Sequence, residues 1–241
     1  DLSNHLDIFL AGEKSPNTSV TKQGFGKSKR LAFVCSGMGQ QWAAMGRELI
    51  KTERIVSDLI KECDTLFRQY TKDWSLLKEL TAEEDTSRIN KTQIAQPCIF
   101  SLQIALAALW KSRGVLPDTV VGHSVGEIAA FHIAGVLSLE DAVRVCFHRS
   151  RLQQQTAGKG KMLAVGLSQE EIEPRLEAFG DRISIGAINS STSVTLSGDA
   201  GQLEKAASIF EKEKVFNRFL KVEVPYHSPV MDSILDELHE C

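Results

Sequence analysis

The residue of this 241-residue chain whose sequence setting best suits covalent chemistry is Ser124, which lies between glycines at positions 122 and 126. Residues 122–126 read Gly-His-Ser-Val-Gly, which matches the G-x-S-x-G pattern of a sharp strand-to-helix turn. An apolar strand, residues 119–121, precedes the pattern, and a small-residue helix, residues 128–134, follows it. We therefore predict that Ser124 is a nucleophile, and that the Val125 N–H can donate to a developing oxyanion.

A serine hydroxyl is a poor nucleophile near neutral pH and needs a base within hydrogen-bond reach. Among the six histidines, His227 is the best candidate because it lies in a loop where the chain returns from a small inserted unit to the unit that carries Ser124. His123 adjoins the serine, and we expect it to brace the turn. The remaining histidines lie near the termini or on helices, where packing explains them: His5, His132, His148 and His239.

Composition narrows the possible partners. The net charge of −3, with 42% apolar and 24% charged residues, gives no electrostatic reason to expect nucleic acid or a membrane surface as partner. The five cysteines show no CxxC or Cys/His pairing, so we expect reduced thiols in a cytoplasmic protein, with no disulfide framework and no metal site. The longest apolar stretch, residues 98–110, is interrupted by polar residues and is too short to span a bilayer.

The elements that must position these groups alternate between strand and helix. We predict a strand at residues 31–35, helix from Trp42, an interior helix at 98–110, and a helix capped by Ser138. From 162 to 220 the predicted order is βαββαβ, that of a ferredoxin-like unit, with a turn at residues 189–192 and a capping box from Ser168 and Glu171. The first helix of this unit is predicted at residues 169–179, and we expect Pro174 to kink it.

The expected architecture is thus α/β: a large α/β-hydrolase-like domain with an inserted ferredoxin-like subdomain. We assign residues 1–29 to a linker, 30–160 to the large subdomain, 161–221 to the ferredoxin-like subdomain, and 222–241 to the return into the large subdomain. The chain starts at Asp1 and stops within a helical pattern, so we expect a piece of a longer polypeptide with a truncated C-terminus.

Taken together, the motifs resemble the malonyl/acyl-CoA to acyl-carrier-protein transacylase domains of fatty acid and polyketide synthases. The resemblance covers about residues 30–241 and is specific because the motifs occur in the family's order. They are Phe33–Trp42 followed by Met45-Gly46, Ala95–Pro97, Gly122–Glu127, Arg149-Ser150, Ala187–Ser190 and Tyr226–Ser228. The resemblance implies that Ser124 and His227 form a catalytic dyad, and that Gln41 supplies a second oxyanion-hole amide beside Val125.

The resemblance also implies a substrate pocket. Arg149 would bind the free carboxylate of a malonyl-type substrate, since a guanidinium can grip a carboxylate with two parallel hydrogen bonds. Without the resemblance, Arg149 would be read as a solvated helix arginine. Gln96 would line the same pocket. A bulky ring at Tyr226, just before the histidine, would crowd an α-methyl branch and favours malonyl over methylmalonyl groups.

The implied reaction has two steps. A coenzyme A thioester, with malonyl-CoA favoured, acylates Ser124, and the phosphopantetheine thiol of an acyl carrier protein then takes the acyl group. No bound metal or redox cofactor is required, and adjacent megasynthase domains are expected partners. The resemblance further implies that the domain continues past residue 241 and there supplies the main-chain carbonyl that orients the histidine.

Two alternatives stay open at this level. An α/β-hydrolase-type esterase or lipase shares the serine turn and would need an acid between serine and histidine, for which Asp199 or Glu223 is available. A catalytically silent domain that only docks a carrier protein would keep the fold without using Ser124.

Overall fold

The computed structural model describes residues 7–12, 30–39 and 41–241. The chain divides into two compact units, residues 1–30 and residues 31–241. Within the first unit, residues 7–10 form one helical turn. The predicted linker at 1–29 therefore lies largely outside the described residues.

Strands and helices alternate along the second unit. Its described strands are β1 (Ala32–Cys35), β2 (Thr119–Gly122), β3 (Lys161–Val165), β4 (Ile183–Ser190), β5 (Ser193–Gly198) and β6 (Asn217–Phe219). Its described α-helices are α1 (Arg47–Thr52), α2 (Arg54–Tyr70), α3 (Leu76–Thr81), α4 (Thr92–Ser112), α5 (Gly126–Ile133), α6 (Leu139–Gln154), α7 (Gln169–Leu176), α8 (Ala200–Lys212) and α9 (Leu235–Glu240). Short 3-10 segments occupy Glu177–Arg182 and Pro229–Ile234.

Helices α2, α4, α5 and α6 pack together in a first hydrophobic core beside two parallel strands. β1 pairs with β2 in register from Ala32 opposite Thr119 to Cys35 opposite Gly122. Helix α4 lies at the centre of this core and is buried along most of its length. By length and composition α4 could cross a membrane, but 72% of its most apolar window is buried inside the protein, as expected of a core helix.

The second core lies between an antiparallel sheet and two helices. The strands are ordered β4-β5-β3-β6, and each neighbouring pair is antiparallel. Leu163, Leu196, Leu203 and Phe210 are fully or almost fully buried between this sheet and its helices. The elements follow one another as β3, α7, β4, β5, α8 and β6, which is the βαββαβ order expected from the sequence.

Two side-chain caps predicted at helix N-termini are confirmed. Ser138 accepts a hydrogen bond from the Asp141 N–H at the start of α6. Ser168 and Glu171 form the expected capping box at the start of α7. These side chains satisfy backbone donors that a helix N-terminus leaves without partners.

Several predicted boundaries are wrong, including those of the interior helix, which spans Thr92–Ser112 rather than residues 98–110. The helix predicted from Trp42 begins at Arg47, because Ala44 and Gly46 adopt left-handed backbone angles, with φ of 62° and 85°. The turn predicted at residues 189–192 is shorter, since β4 continues to Ser190. The helix with Pro174 inside it ends at Leu176 and passes into a 3-10 segment.

All five cysteines are free thiols, as expected. Cys35, Cys63, Cys98 and Cys146 are buried, and Cys241 is exposed. The buried four lie in the first hydrophobic core, where burial raises the pKa of each thiol and keeps it protonated.

Candidate active site

Two glycines allow the turn that carries Ser124. A Cβ on Gly126 would overlap the Cys35 carbonyl at the end of β1, and a Cβ on Gly122 would overlap the backbone of Glu127 in α5. Strand, turn and helix are therefore packed backbone against backbone, which only glycine permits. Ser124 itself has a φ of 54°, in the left-handed region. The turn raises its side chain at the carboxyl end of β2.

The structure brings His227 to Ser124. The Ser124 Oγ and the His227 Nε2 are 3.0 Å apart, within hydrogen-bond distance, although 103 residues separate them in the chain. His227 also has a left-handed φ, of 56°. Its carbonyl accepts a hydrogen bond of 3.1 Å from the Ser184 hydroxyl on β4. The antiparallel sheet thus helps to hold the main chain of the candidate base.

The surroundings of His227 favour its neutral form. Burial lowers the pKa of this imidazole, and the positive charge of Arg149 and the neighbouring His123 lower it further, while Glu127 acts in the opposite direction. The pKa therefore lies below the ordinary 6.5 of histidine. A neutral imidazole can accept the serine proton, whereas an imidazolium cannot.

Arg149 lies beside the same hydroxyl. Its Nη2 donates a hydrogen bond of 3.2 Å to the Ser124 Oγ from helix α6. The side chain is half-buried, and burial lowers the pKa of the guanidinium without removing its charge. Within residues 7–12, 30–39 and 41–241, no carboxylate lies within ion-pair distance of this side chain. Its side-chain partners are neutral groups.

Two glutamine amides hold the other end of the guanidinium. The Arg149 Nη1 donates to the Oε1 of Gln96 on α4 and, over 3.2 Å, to the Oε1 of Gln153 on α6. The two amides also contact each other, since the Gln96 Nε2 donates to the Gln153 Oε1 over 2.7 Å. Gln153 was not singled out from the sequence. Its spacing of four residues from Arg149, which places both on one helix face, is the signal that could have found it.

Tyr226 closes the site with its hydroxyl inward. The ring is buried, and its hydroxyl lies 2.6 Å from the Thr92 Oγ1 and 3.0 Å from the Met38 Sδ. Burial raises the pKa of Tyr226 to about 12, so the phenol stays neutral. Thr92 and Met38 were not predicted as site residues. No spacing signal links Thr92 or Met38 to position 226, because the fold alone brings them together.

A cleft of about 180 Å³ opens next to the serine. Gln96, Ser124, Tyr226 and His227 all line it. The other lining residues are Met38, His123, Met162, Ala187, Asn189, Thr195, Leu220 and Val222. Ser124 also borders a second cavity, which Arg149 lines. The described residues contain no group of three His, Cys, Asp or Glu side chains that could hold a metal ion.

The two predicted oxyanion donors are placed differently. Val125 is buried and forms the N-cap of α5, and the first amides of a helix have no intrahelical acceptor. The Val125 N–H is therefore suited to an oxyanion. The Gln41 side chain accepts a hydrogen bond of 2.8 Å from the Gly39 N–H and lines a separate cavity beside Trp42. The role of the Gln41 amide stays a prediction.

The other described histidines near the site have structural contacts. A Cβ on Gly37 would lie 2.7 Å from the His123 Nδ1, so His123 packs against the loop that follows β1. The His132 Nδ1 lies 3.1 Å from the Leu137 carbonyl oxygen, and the His148 ring packs against Tyr70. These contacts leave His227 as the histidine with a contact to Ser124 among the described residues.

Comparisons with known proteins identify the family of this chain. The family model described as "Acyl transferase domain" matches residues 32–241. Polyketide synthase GfsE of Streptomyces halstedii is 39% identical over 98% of this chain, which spans only 6% of that relative. A loading acyltransferase of the avermectin modular polyketide synthase has a TM-score of 0.80 at 36% identity, covering 86% of this chain and 66% of its own.

A second solved structure is also similar. The malonyl CoA-acyl carrier protein transacylase of Coxiella burnetii has a TM-score of 0.80 at 28% identity, with 88% of this chain and 67% of that chain covered. The match of the family model extends over most of the chain and includes the turn with Ser124, the arginine and the histidine. This chain therefore belongs to the acyl transferase domain family.

Proposed function

We propose that this domain transfers a malonyl-type acyl group from coenzyme A, through an ester on Ser124, to the phosphopantetheine thiol of an acyl carrier protein in fatty acid or polyketide synthesis. The observation that carries the proposal is a half-buried arginine, without a carboxylate partner among the described residues, placed 3.2 Å from the nucleophile. The names of the relatives, which include polyketide synthases and a malonyl transacylase, support the same substrate class.

The reaction follows from the positions of the groups. The neutral His227 takes the Ser124 proton as the oxygen attacks the thioester carbon, and the tetrahedral oxyanion is stabilised by the Val125 amide and, as proposed, the Gln41 amide. Collapse expels coenzyme A, whose sulfur receives the proton from His227. In the second half, His227 takes the proton of the carrier thiol, which attacks the Ser124 ester, and the serine oxygen recovers the proton as it leaves.

Charge explains the preference for a carboxylated acyl group. A guanidinium taken partly out of water loses hydration that neutral amides replace only in part. A substrate carboxylate would complete that compensation with charge-assisted hydrogen bonds, which an acetyl group cannot make. Arg149 thus favours malonyl over acetyl groups and places the thioester carbon near Ser124.

Tyr226 supports a malonyl rather than a methylmalonyl group. Its hydroxyl is held by Thr92 and Met38, so the ring cannot swing away from the cleft without breaking a buried hydrogen bond. The cleft has a volume of only about 180 Å³, and a fixed wall leaves less room for an α-methyl branch.

The esterase alternative receives less support from the same geometry. Such an enzyme would use an acid against the His227 ring. Asp199 instead caps α8 by accepting from the Gln202 N–H, and Glu223 accepts from the Gln154 Nε2. The silent docking alternative gives no reason for the 3.0 Å contact between Ser124 and His227.

We propose the following domain organisation for the same chain. Residues 30–160 and 222–241 form an α/β-hydrolase-like subdomain, residues 161–221 a ferredoxin-like subdomain, and residues 1–29 a linker. The strand order β4-β5-β3-β6 supports the second assignment. Neighbouring megasynthase domains, a cytoplasmic location and the absence of a resident cofactor belong to the same proposal.

Transfer assays with three donors test the function. Malonyl-, methylmalonyl- and acetyl-CoA would be offered with a phosphopantetheinylated carrier protein, and we expect malonyl transfer to be fastest. Arg149→Met should lower malonyl kcat/KM by about 100-fold relative to acetyl. Arg144→Met is the matched control, since Arg144 is exposed on the same helix and pairs with Asp141. Preferential transfer of acetyl by the unaltered protein would contradict the proposal.

A further inference from the structure

Gln153 is a buried polar residue of the site to which the proposed reaction gives no role. It is 7% exposed, lies one helical turn after Arg149 on α6, and directs its amide oxygen toward two donors. These donors are the Arg149 Nη1, at 3.2 Å, and the Gln96 Nε2, at 2.7 Å. Gln96 is 1% exposed and accepts from the same Nη1. The two amides and the guanidinium therefore form one closed network.

This network decides which guanidinium edge faces the reacting atoms. The two hydrogens of Nη1 have two acceptors, the oxygens of Gln96 and Gln153. The Nη2 atom contacts the Ser124 Oγ and stays accessible at the nucleophile. Because a guanidinium is planar and rigid, fixing Nη1 also fixes the direction of the Nη2 donors. A substrate carboxylate would meet donors that are already oriented.

The chemical type of residue 153 matters as much as its position. An amide oxygen accepts hydrogen bonds without cancelling the positive charge of Arg149. A carboxylate of the same shape would form an internal ion pair at that distance and compete with the substrate carboxylate. A thioether of similar size would fill the volume but leave one Nη1 hydrogen without its acceptor.

We propose that Gln153 is a positioning and specificity residue for carboxylated acyl groups, holding Arg149 toward Ser124 while leaving its charge for the substrate. The inference rests on the carboxylate role proposed for Arg149. Gln153 acts through that arginine and need not touch the acyl group. This role predicts that substitution of Gln153 changes the ratio of kcat/KM for malonyl-CoA to kcat/KM for acetyl-CoA, rather than lowering both equally.

The test compares Gln153→Glu and Gln153→Met with the unaltered protein, using malonyl-CoA and acetyl-CoA as donors. In Gln153→Met, malonyl kcat/KM should fall about 10-fold more than acetyl kcat/KM, mainly through a higher KM. In Gln153→Glu the corresponding difference should reach about 100-fold. Gln155→Glu introduces the same charge two residues away at an exposed position, and it should keep the original ratio.

The results distinguish a failure of the Gln153 role from a failure of the proposed function. If the unaltered protein transfers acetyl as well as malonyl, the proposed function fails, and Gln153 loses its role with it. If the unaltered protein prefers malonyl but both Gln153 variants keep that preference, only the inference is overturned. A loss shared equally by both donors would also overturn it, since that result indicates a merely structural residue. Should Gln153→Glu not fold, the uncharged Gln153→Met decides the question.

Discussion

Ser124 and His227 have a rare backbone conformation in common. Their φ angles are 54° and 56°, where a side chain crowds the adjacent carbonyl at a cost of about 1–2 kcal/mol per residue. Each is held there by its surroundings, Ser124 by the packing of Gly126 on β1 and His227 by the bond from Ser184. With these backbone conformations, two side chains from distant parts of the chain lie 3.0 Å apart.

The strain at Ser124 should affect the free energy of unfolding of variants at this position. Ser124→Gly should be more stable than Ser124→Ala by about 1 kcal/mol, because only glycine adopts a φ of 54° without crowding. Urea unfolding of both variants measures the difference. Ser208 is the control, since it is exposed within helix α8, where alanine should be the more stable of the two. Equal stabilities at position 124 would contradict the strain.

The pH dependence of acylation tests the surroundings of His227. Burial and the Arg149 charge lower its pKa, so the rate should fall only as pH drops through a value below 6.5, where the base becomes protonated. In Arg149→Met one of the lowering charges is gone, and the acid limb should move to higher pH. Single-turnover acylation by acetyl-CoA, a donor without a carboxylate, measures both profiles. An unmoved acid limb would show that Arg149 does not act on the base.

At the scale of elements, the turn depends on how closely β1, β2 and α5 approach. Gly126 lies against the Cys35 carbonyl, and the His123 N–H donates to that same oxygen over 2.9 Å. No side chain separates the first turn of α5 from the end of β1. The helix N-terminus is thereby brought directly beside Ser124, with the Val125 amide at its start.

Gly126→Ala should therefore damage both stability and activity. The added methyl would overlap backbone rather than a movable side chain, and we expect a loss of about 2 kcal/mol in the free energy of unfolding. Gly201→Ala provides the comparison within a helix. Its Cβ would lie 3.5 Å from the Asp199 Oδ1, an ordinary contact, so the variant should be neutral or about 0.5 kcal/mol more stable. Thermal unfolding of both variants distinguishes a specific overlap from a general intolerance of alanine.

At the scale of the whole second unit, the site depends on a contact between segments that are far apart in the chain. Tyr226 belongs to the segment that leaves the antiparallel sheet, and Thr92 begins the central helix α4 of the other core. Their hydroxyls lie 2.6 Å apart and are both buried. This bond fixes the segment that carries His227 against α4, and so links the two cores next to the cleft.

A double-mutant cycle measures that link. Tyr226→Phe and Thr92→Val should each destabilise the protein by about 1–2 kcal/mol. Tyr226→Phe leaves the buried Thr92 hydroxyl without its partner, and Thr92→Val leaves the Tyr226 hydroxyl only the weakly accepting Met38 sulfur. Their coupling energy, read from the free energies of unfolding of the single and double variants, should be about 1 kcal/mol. Strictly additive losses would show that the hydroxyl pair does not hold the segment.

The sequence predicted the parts of the site that depend on local pattern. The G-x-S-x-G spacing predicted Ser124 as the nucleophile, and the position of His227 after the predicted insert suggested it as the base, because both signals follow from chain order. The structure places the two side chains 3.0 Å apart. Gln96 and Arg149 needed the family resemblance, since a helix arginine is usually solvated. Thr92, Met38 and Ser184 could not be found, because their contacts arise only when the two cores pack. The α1 start was misplaced because left-handed angles at Ala44 cannot be read from an alanine.

The proposed function requires that the Ser124 oxygen carries the acyl group. Intact-mass measurement after incubation with malonyl-CoA tests it directly, using the unaltered protein and Ser124→Ala. We predict one malonyl adduct on the unaltered protein, its removal when a phosphopantetheinylated carrier protein is added, and no adduct on Ser124→Ala. An adduct that persists in Ser124→Ala, or none on the folded unaltered protein, would contradict the account.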